Sequence, residues 1–172
     1  MWTLSRERGM PPLHLLRHVF ETAATFSQAL ESLETVEIAR PVLFTLIGCE
    51  SDEIAVIERR ERDATVYVGA GSVANDWRER KIGWEPRPCA LEDRRLDSVT
   101  RCATIEKAVS GSPGPFSWVV PPVRNWNTPV AVEMNAGEGL IRALGLEPCN
   151  DVDAAPATLP FDAHQVLRRM LA

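Results

Sequence analysis

Three apolar runs, at 42–48, 54–57 and 65–68, succeed one another with only short polar turns between them. That spacing predicts three antiparallel strands. Within the runs apolar residues occupy successive positions rather than alternate ones, which predicts a sheet covered on both faces and lying between two layers. The charged stretch from Glu58 to Asp63 reads as a solvated hairpin turn.

Helices flank this core on the sequence. Pro11 and Pro12 suit a first helical turn, and Leu13, Leu16, Val19, Phe20 and Ala23 recur at three- and four-residue steps after them. Thr25 to Gln28 fits a capping box, with Thr25 as N-cap and Gln28 reaching back, and Ala29, Leu30 and Leu33 continue a second short helix. A loop containing proline and tryptophan, about 77–90, precedes a helix from near Asp93 whose stripe is Leu96, Val99, Cys102, Ala103 and Val109. The glycine- and proline-rich segment 111–115 stops it. Strands are expected again at about 128–134 and 138–144, around a turn at 135–138. The organisation expected is a flexible N-terminus at 1–10, one body at 11–149, and a linker with a short terminal helix at 150–172. The fold class is α+β.

With 172 residues, 45% hydrophobic and 25% charged, the chain has material for one sizeable core. A net charge of −5 argues against a nucleic-acid scaffold and against attraction to an acidic membrane. No apolar run approaches the roughly 20 residues of a membrane span, and the first ten residues lack a signal peptide's apolar stretch. A cytoplasmic location is expected.

Metal and cofactor chemistry find little support. Cys49, Cys89, Cys102 and Cys149 form no Cys-X-X-Cys pair, which leaves reduced thiols as the simplest reading, with Cys49 a small buried side chain at a strand end. His14 and His18 lie one helical turn apart, but no Glu-X-X-His pattern accompanies them, so two helix-face side chains are expected rather than a metal pair; His164 is the third histidine. Gly69-Ala70-Gly71 follows a strand without the lysine or third glycine of a phosphate loop and reads as a tight turn between strands. No cofactor is expected.

Two polar constellations remain. Asn75-Asp76-Trp77 stands where a strand should end, and Glu92-Asp93-Arg94-Arg95 opens the following helix. An Asx turn and an acidic helix start explain them separately. Alternatively, a carboxamide and a guanidinium face one cleft at a sheet edge.

Taken in order, the segment from Arg17 to Leu33, the strand 41–49, the strand 53–60, Val73-Ala74-Asn75-Asp76-Trp77 and Leu91-Glu92-Asp93-Arg94-Arg95 resemble the later half of the acid ceramidase and N-acylethanolamine acid amidase family. The resemblance spans about 11–147 and is strongest at 41–95. It implies an N-terminal-nucleophile hydrolase of linear amides, with an αββα four-layer sandwich of which this chain supplies a part. It also implies that Asn75 contributes its amide to an oxyanion hole and that Arg94 lies in the active-site pocket. Such a donor stabilises a tetrahedral intermediate by a few kcal/mol. The family's nucleophile is a cysteine at the mature N-terminus, whose own α-amine is the base, and this chain begins with Met1 and Trp2. The resulting expectation is a carboxy-terminal portion that is inactive alone and takes an N-acyl amide substrate when complemented. It would form homo-oligomers through an uncovered sheet edge, or pair with a partner chain bearing the nucleophile strand. A non-catalytic acidic α+β interaction protein of the same descent is the alternative.

Overall fold

The computed structural model describes residues 9–69, 71–79, 93–110, 114–125, 128–146 and 161–162, with 93–97 and 161–162 described by their backbone alone. Among these residues the fold is mixed α+β, with three helices and two three-stranded antiparallel sheets. It divides into two compact units, Met1–Val73 and Ala74–Ala172.

The first unit holds α1 (Pro12–Thr22), α2 (Phe26–Thr35) and the meander β1 (Val42–Ile47), β2 (Ile54–Arg59) and β3 (Ala64–Val68). The register pairs Phe44 with Ile57 and Ile57 with Val66, so Val42, Phe44, Leu46, Ala55, Ile57, Ala64 and Val66 share the face that packs with Leu15, Val19, Ala29 and Leu33 of the helices. On the other face Val56 and Glu58 are buried while Thr45 and Ile47 are exposed. Burial on both sides therefore holds for the central strand, not for all three.

The predicted stripe of α1 holds in part. Val19 is buried and Leu16 and Ala23 pack against the core, but Leu13 and Phe20 are 76% and 75% exposed, and Pro12 and Leu15 are buried beside Val19. The buried face centres on Leu15 and Val19, and packing sets that phase. The capping box of α2 is present with a small difference. Thr25 Oγ1 accepts from Gln28 N–H at 3.2 Å, but Gln28 Oε1 accepts from the N–H of Ala24 rather than that of Thr25.

The turn expected at 58–63 is shorter than its charges suggest. Glu58 and Arg59 are 1% and 0% exposed and continue β2, and the turn proper is closed by Arg60 N–H to Asp63 O at 2.8 Å. Arg59 shares the helix-facing side with Ala55 and Ile57, and its guanidinium donates to the carbonyls of Leu33 and, at 2.7 Å, Val36. Leu33 lies in the last turn of α2 and Val36 is its C-cap; that turn has no basic residue and ends in Leu33-Glu34-Thr35. A cation from β2 thus meets carbonyls that a helix end leaves open. Burial lowers the pKa of Arg59 from its ordinary value, and the nearby charges of Glu34 and Asp63 oppose that shift.

The chain before α1 is pinned at its described end. Met10 forms a parallel bridge with Ile38, through Met10 N–H to Glu37 O and Ala39 N–H to Met10 O, both 2.9 Å. Gly9 has φ +140°, and a Cβ there would lie 2.6 Å from the Ile38 carbonyl carbon, so glycine is required. The flexible N-terminus expected for 1–10 does not extend to these two residues; 1–8 lie outside the described ones.

The second unit holds α3 (Asp93–Val109) and the sheet β4 (Val130–Asn135), β5 (Leu140–Gly145), β6 (Phe161–Asp162), in that order. The hairpin begins and ends one or two residues later than predicted, and Gly139, at φ +63°, takes the left-handed turn position. Asn135 Oδ1 accepts from Glu138 N–H within that turn. The terminal helix expected from Phe161 is replaced at its first two residues by a strand on β5, and 163–172 lie outside the described residues. In α3, Val99 and Val109 of the predicted stripe are exposed, while Ser98 is buried and Arg101, Cys102, Ile105 and Ala108 are half-buried.

Replacing Arg59 tests its place in the first unit. Arg59→Ala removes the donors and leaves a cavity, and is expected to cost about 3 kcal/mol in urea unfolding. Arg59→Met refills the space but not the donors, and is expected to recover about half of that loss.

Candidate functional site

Beyond β3 the chain turns at Gly69, φ +95°, whose N–H donates to Ile54 O at 2.8 Å. No strand follows among residues 71–79, so the Gly69-Ala70-Gly71 segment is not the strand-to-strand turn expected of it. No helix opens among these residues either. Asn75 lies in this irregular stretch, exposed, at the start of the second unit.

Two neighbouring side chains divide the polar work. Asp76 Oδ1 accepts the backbone N–H of Trp77 at 2.8 Å. The Asn75 carboxamide is directed elsewhere: its Oδ1 accepts from an Nη of Arg101 on α3, at 3.5 Å. The same guanidinium nitrogen donates to Ser98 Oγ at 3.3 Å, one helical turn earlier on α3. Ser98 is buried, which fixes the base of this small network within the unit.

Arg94 lies in the first turn of α3, and its side chain is outside the described residues. Positions 94 and 101 are seven apart, two helical turns and about 10 Å along the axis, so they fall on one face of α3. The arginine seen on Asn75 is therefore Arg101, a residue the sequence reading passed over. The available signal was its seven-residue spacing from Arg94, hidden because Arg101 sat between the apolar positions Val99 and Cys102 of a stripe assigned in another phase.

A second polar cluster was also missed. Glu133 on β4 accepts the N–H of Phe116 at 2.6 Å and the indole Nε1–H of Trp118 at 2.9 Å through one oxygen, while Arg142 on β5 approaches the other at 3.9 Å. Phe116 is buried at φ +57°, a conformation that costs a residue bearing a Cβ about 1 kcal/mol. The carboxylate holds it there, so that Phe116 and Trp118 close over Ala131, Leu144 and Leu146. This cluster clamps a loop to a sheet, since its carboxylate oxygens are directed at these donors.

The remaining candidates separate in space or stand alone. His14 and His18 are exposed on α1, and no group of three or more potential metal ligands exists among the described residues. Cys49 is exposed in the β1–β2 turn, not buried, because β1 ends at Ile47; its N–H donates to Glu53 Oε2 at 2.9 Å. Cys102 is half-buried, and Cys89, Cys149 and His164 lie outside the described residues.

Glu133→Leu should expose the clamp. It leaves two N–H groups without their acceptor and is expected to lower stability by about 3 kcal/mol and to move the Trp118 indole proton resonance. Glu133→Gln, which keeps an accepting oxygen, is expected to cost about 1 kcal/mol. No family model matches this chain, and no curated protein matches it.

Proposed function

We propose that this chain is the carboxy-terminal portion of a linear-amide hydrolase, in which Asn75 supplies an oxyanion-stabilising carboxamide and a separate segment supplies the nucleophile. The substrate class is an N-acyl amide, and the finer architecture is part of an αββα sandwich. The observation that carries the reading is the Asn75 carboxamide: it is exposed and held by its oxygen on Arg101, while Asp76 takes the Trp77 N–H. A carboxamide so held presents its N–H2 group, the end that an oxyanion requires. The order of segments from Arg17 to Arg95, and two antiparallel sheets in an α+β chain, are compatible with it. Arg94, on the Arg101 face of α3, would add positive charge near a thiolate or oxyanion.

Assay of the isolated chain on N-acyl amides is expected to give binding without turnover, and Asn75→Ala to weaken that binding about tenfold. Turnover that disappears in Asn75→Ala would overturn the requirement for a second segment. Binding unchanged in Asn75→Ala would remove the oxyanion role.

One feature favours the assembly reading as a companion or rival. Among the described residues β4 is an edge strand, and Val130, Val132 and Met134 alternate on one exposed face, joined by Ile141 on β5. Exposed apolar edges pair with other strands. Light scattering is expected to find oligomers at high concentration, shifted toward monomer by Val132→Lys; a monomer throughout would contradict this.

A further inference from the structure

We propose that Arg101 is a positioning residue for Asn75, fixing which end of the carboxamide is offered as donor; this rests on the hydrolase reading above. The two ends of an asparagine side chain are nearly equal in size and exchange by a half-turn about χ2. An exposed asparagine therefore presents oxygen or nitrogen according to its neighbours. A guanidinium carries five N–H donors and no acceptor. With an Arg101 nitrogen 3.5 Å from Oδ1, the flipped carboxamide would set N–H against N–H. Only the state with Nδ2–H2 directed away from α3 satisfies both groups.

Three further observations support this role. Ser98 Oγ, buried, accepts from the same Arg101 nitrogen at 3.3 Å and holds it at its post. Asp76 rather than Asn75 takes the Trp77 N–H, so the local turn does not consume the carboxamide. Among the described residues Nδ2 meets no acceptor, which leaves its two hydrogens for an incoming carbonyl oxygen. The ligand class is a neutral linear amide, accepting through its carbonyl oxygen. Charge attraction alone would not require the arginine to touch Asn75.

The chemistry separates two substitutions. Lysine, like arginine, is a donor without acceptors, whereas glutamine offers both and no longer dictates the flip. In the full chain, the Asn75 side-chain amide signals, assigned by their loss in N75D, are followed by NMR with and without N-ethylhexanamide as a neutral probe. The wild type and R101K are expected to share ligand-free Asn75 signals and to respond to the probe with affinities within about threefold. R101Q is expected to move the ligand-free signals and weaken the response about tenfold. Unchanged ligand-free signals in R101Q, or equal losses in R101K and R101Q, would overturn the positioning role. A wild type whose Asn75 signals depend on Arg101 yet ignore the probe would instead overturn the hydrolase reading. Should R101Q lose the backbone signals of β4 and β5, S98A replaces it, with a smaller change expected in the same direction.

Discussion

The guanidinium of Arg59 lies where two elements of the first unit must agree. A helix end leaves carbonyls without partners, and α2 ends in a turn that carries Glu34 and no basic residue, the reverse of what its dipole favours. β2 resolves this from outside the helix. Its last residue turns a guanidinium toward the carbonyls of Leu33 and Val36, on the face where Ala55 and Ile57 share one core with Leu33 and Val19. Desolvating a cation is costly, and burial opposes its charge. The cost is offset in part because the carbonyls would otherwise be buried unmet; both Nη groups of Arg59 are used, while among the described residues its Nε has no hydrogen-bond partner.

That pairing also sets the register. Arg59 lies opposite Val42 and Ala64. A slip of one residue would send the guanidinium to the far face and bring Glu58 to the carbonyls, placing like partial charges together. The sheet position of β3, and hence the point from which the chain departs at Gly69, follows from the same register. In the second unit the comparable anchor is Glu133, which holds Phe116 and Trp118 over one face of β4 and β5. Both anchors are charged side chains spent on backbone or indole groups, and both look like surface residues in the sequence.

The candidate site shows the same division between what is written locally and what is not. Asn75 stood out through the order of its segment among the others that carry the resemblance, since an Asx turn alone would explain Asn75-Asp76-Trp77. Its partner did not, because Arg101 comes from a helix 26 residues later. The apolar pattern assigns Val99, Cys102 and Val109 to the inner face of α3; the structure keeps Cys102 half-buried but exposes both valines, and has Ser98 buried and Arg101 half-buried. A helix with few apolar residues does not declare its phase, and long-range contacts choose it.

The sequence by itself determined the elements whose causes are local: the capping box at Thr25 and Gln28, the helix start at Pro12, the three strands of the meander and the hairpin around 135–140. Their signals are turn chemistry, apolar runs and side-chain bonds a few residues apart, all of which operate before distant segments meet. Only the tertiary structure decided that Pro12 and Leu15 of α1 are buried while Leu13 and Phe20 are not, that Glu58 and Arg59 belong to a strand interior, and that Arg101 rather than a local turn holds Asn75. Those outcomes depend on donors and acceptors far apart in sequence. Which of them find one another is settled by the cost of leaving any polar group buried without a partner.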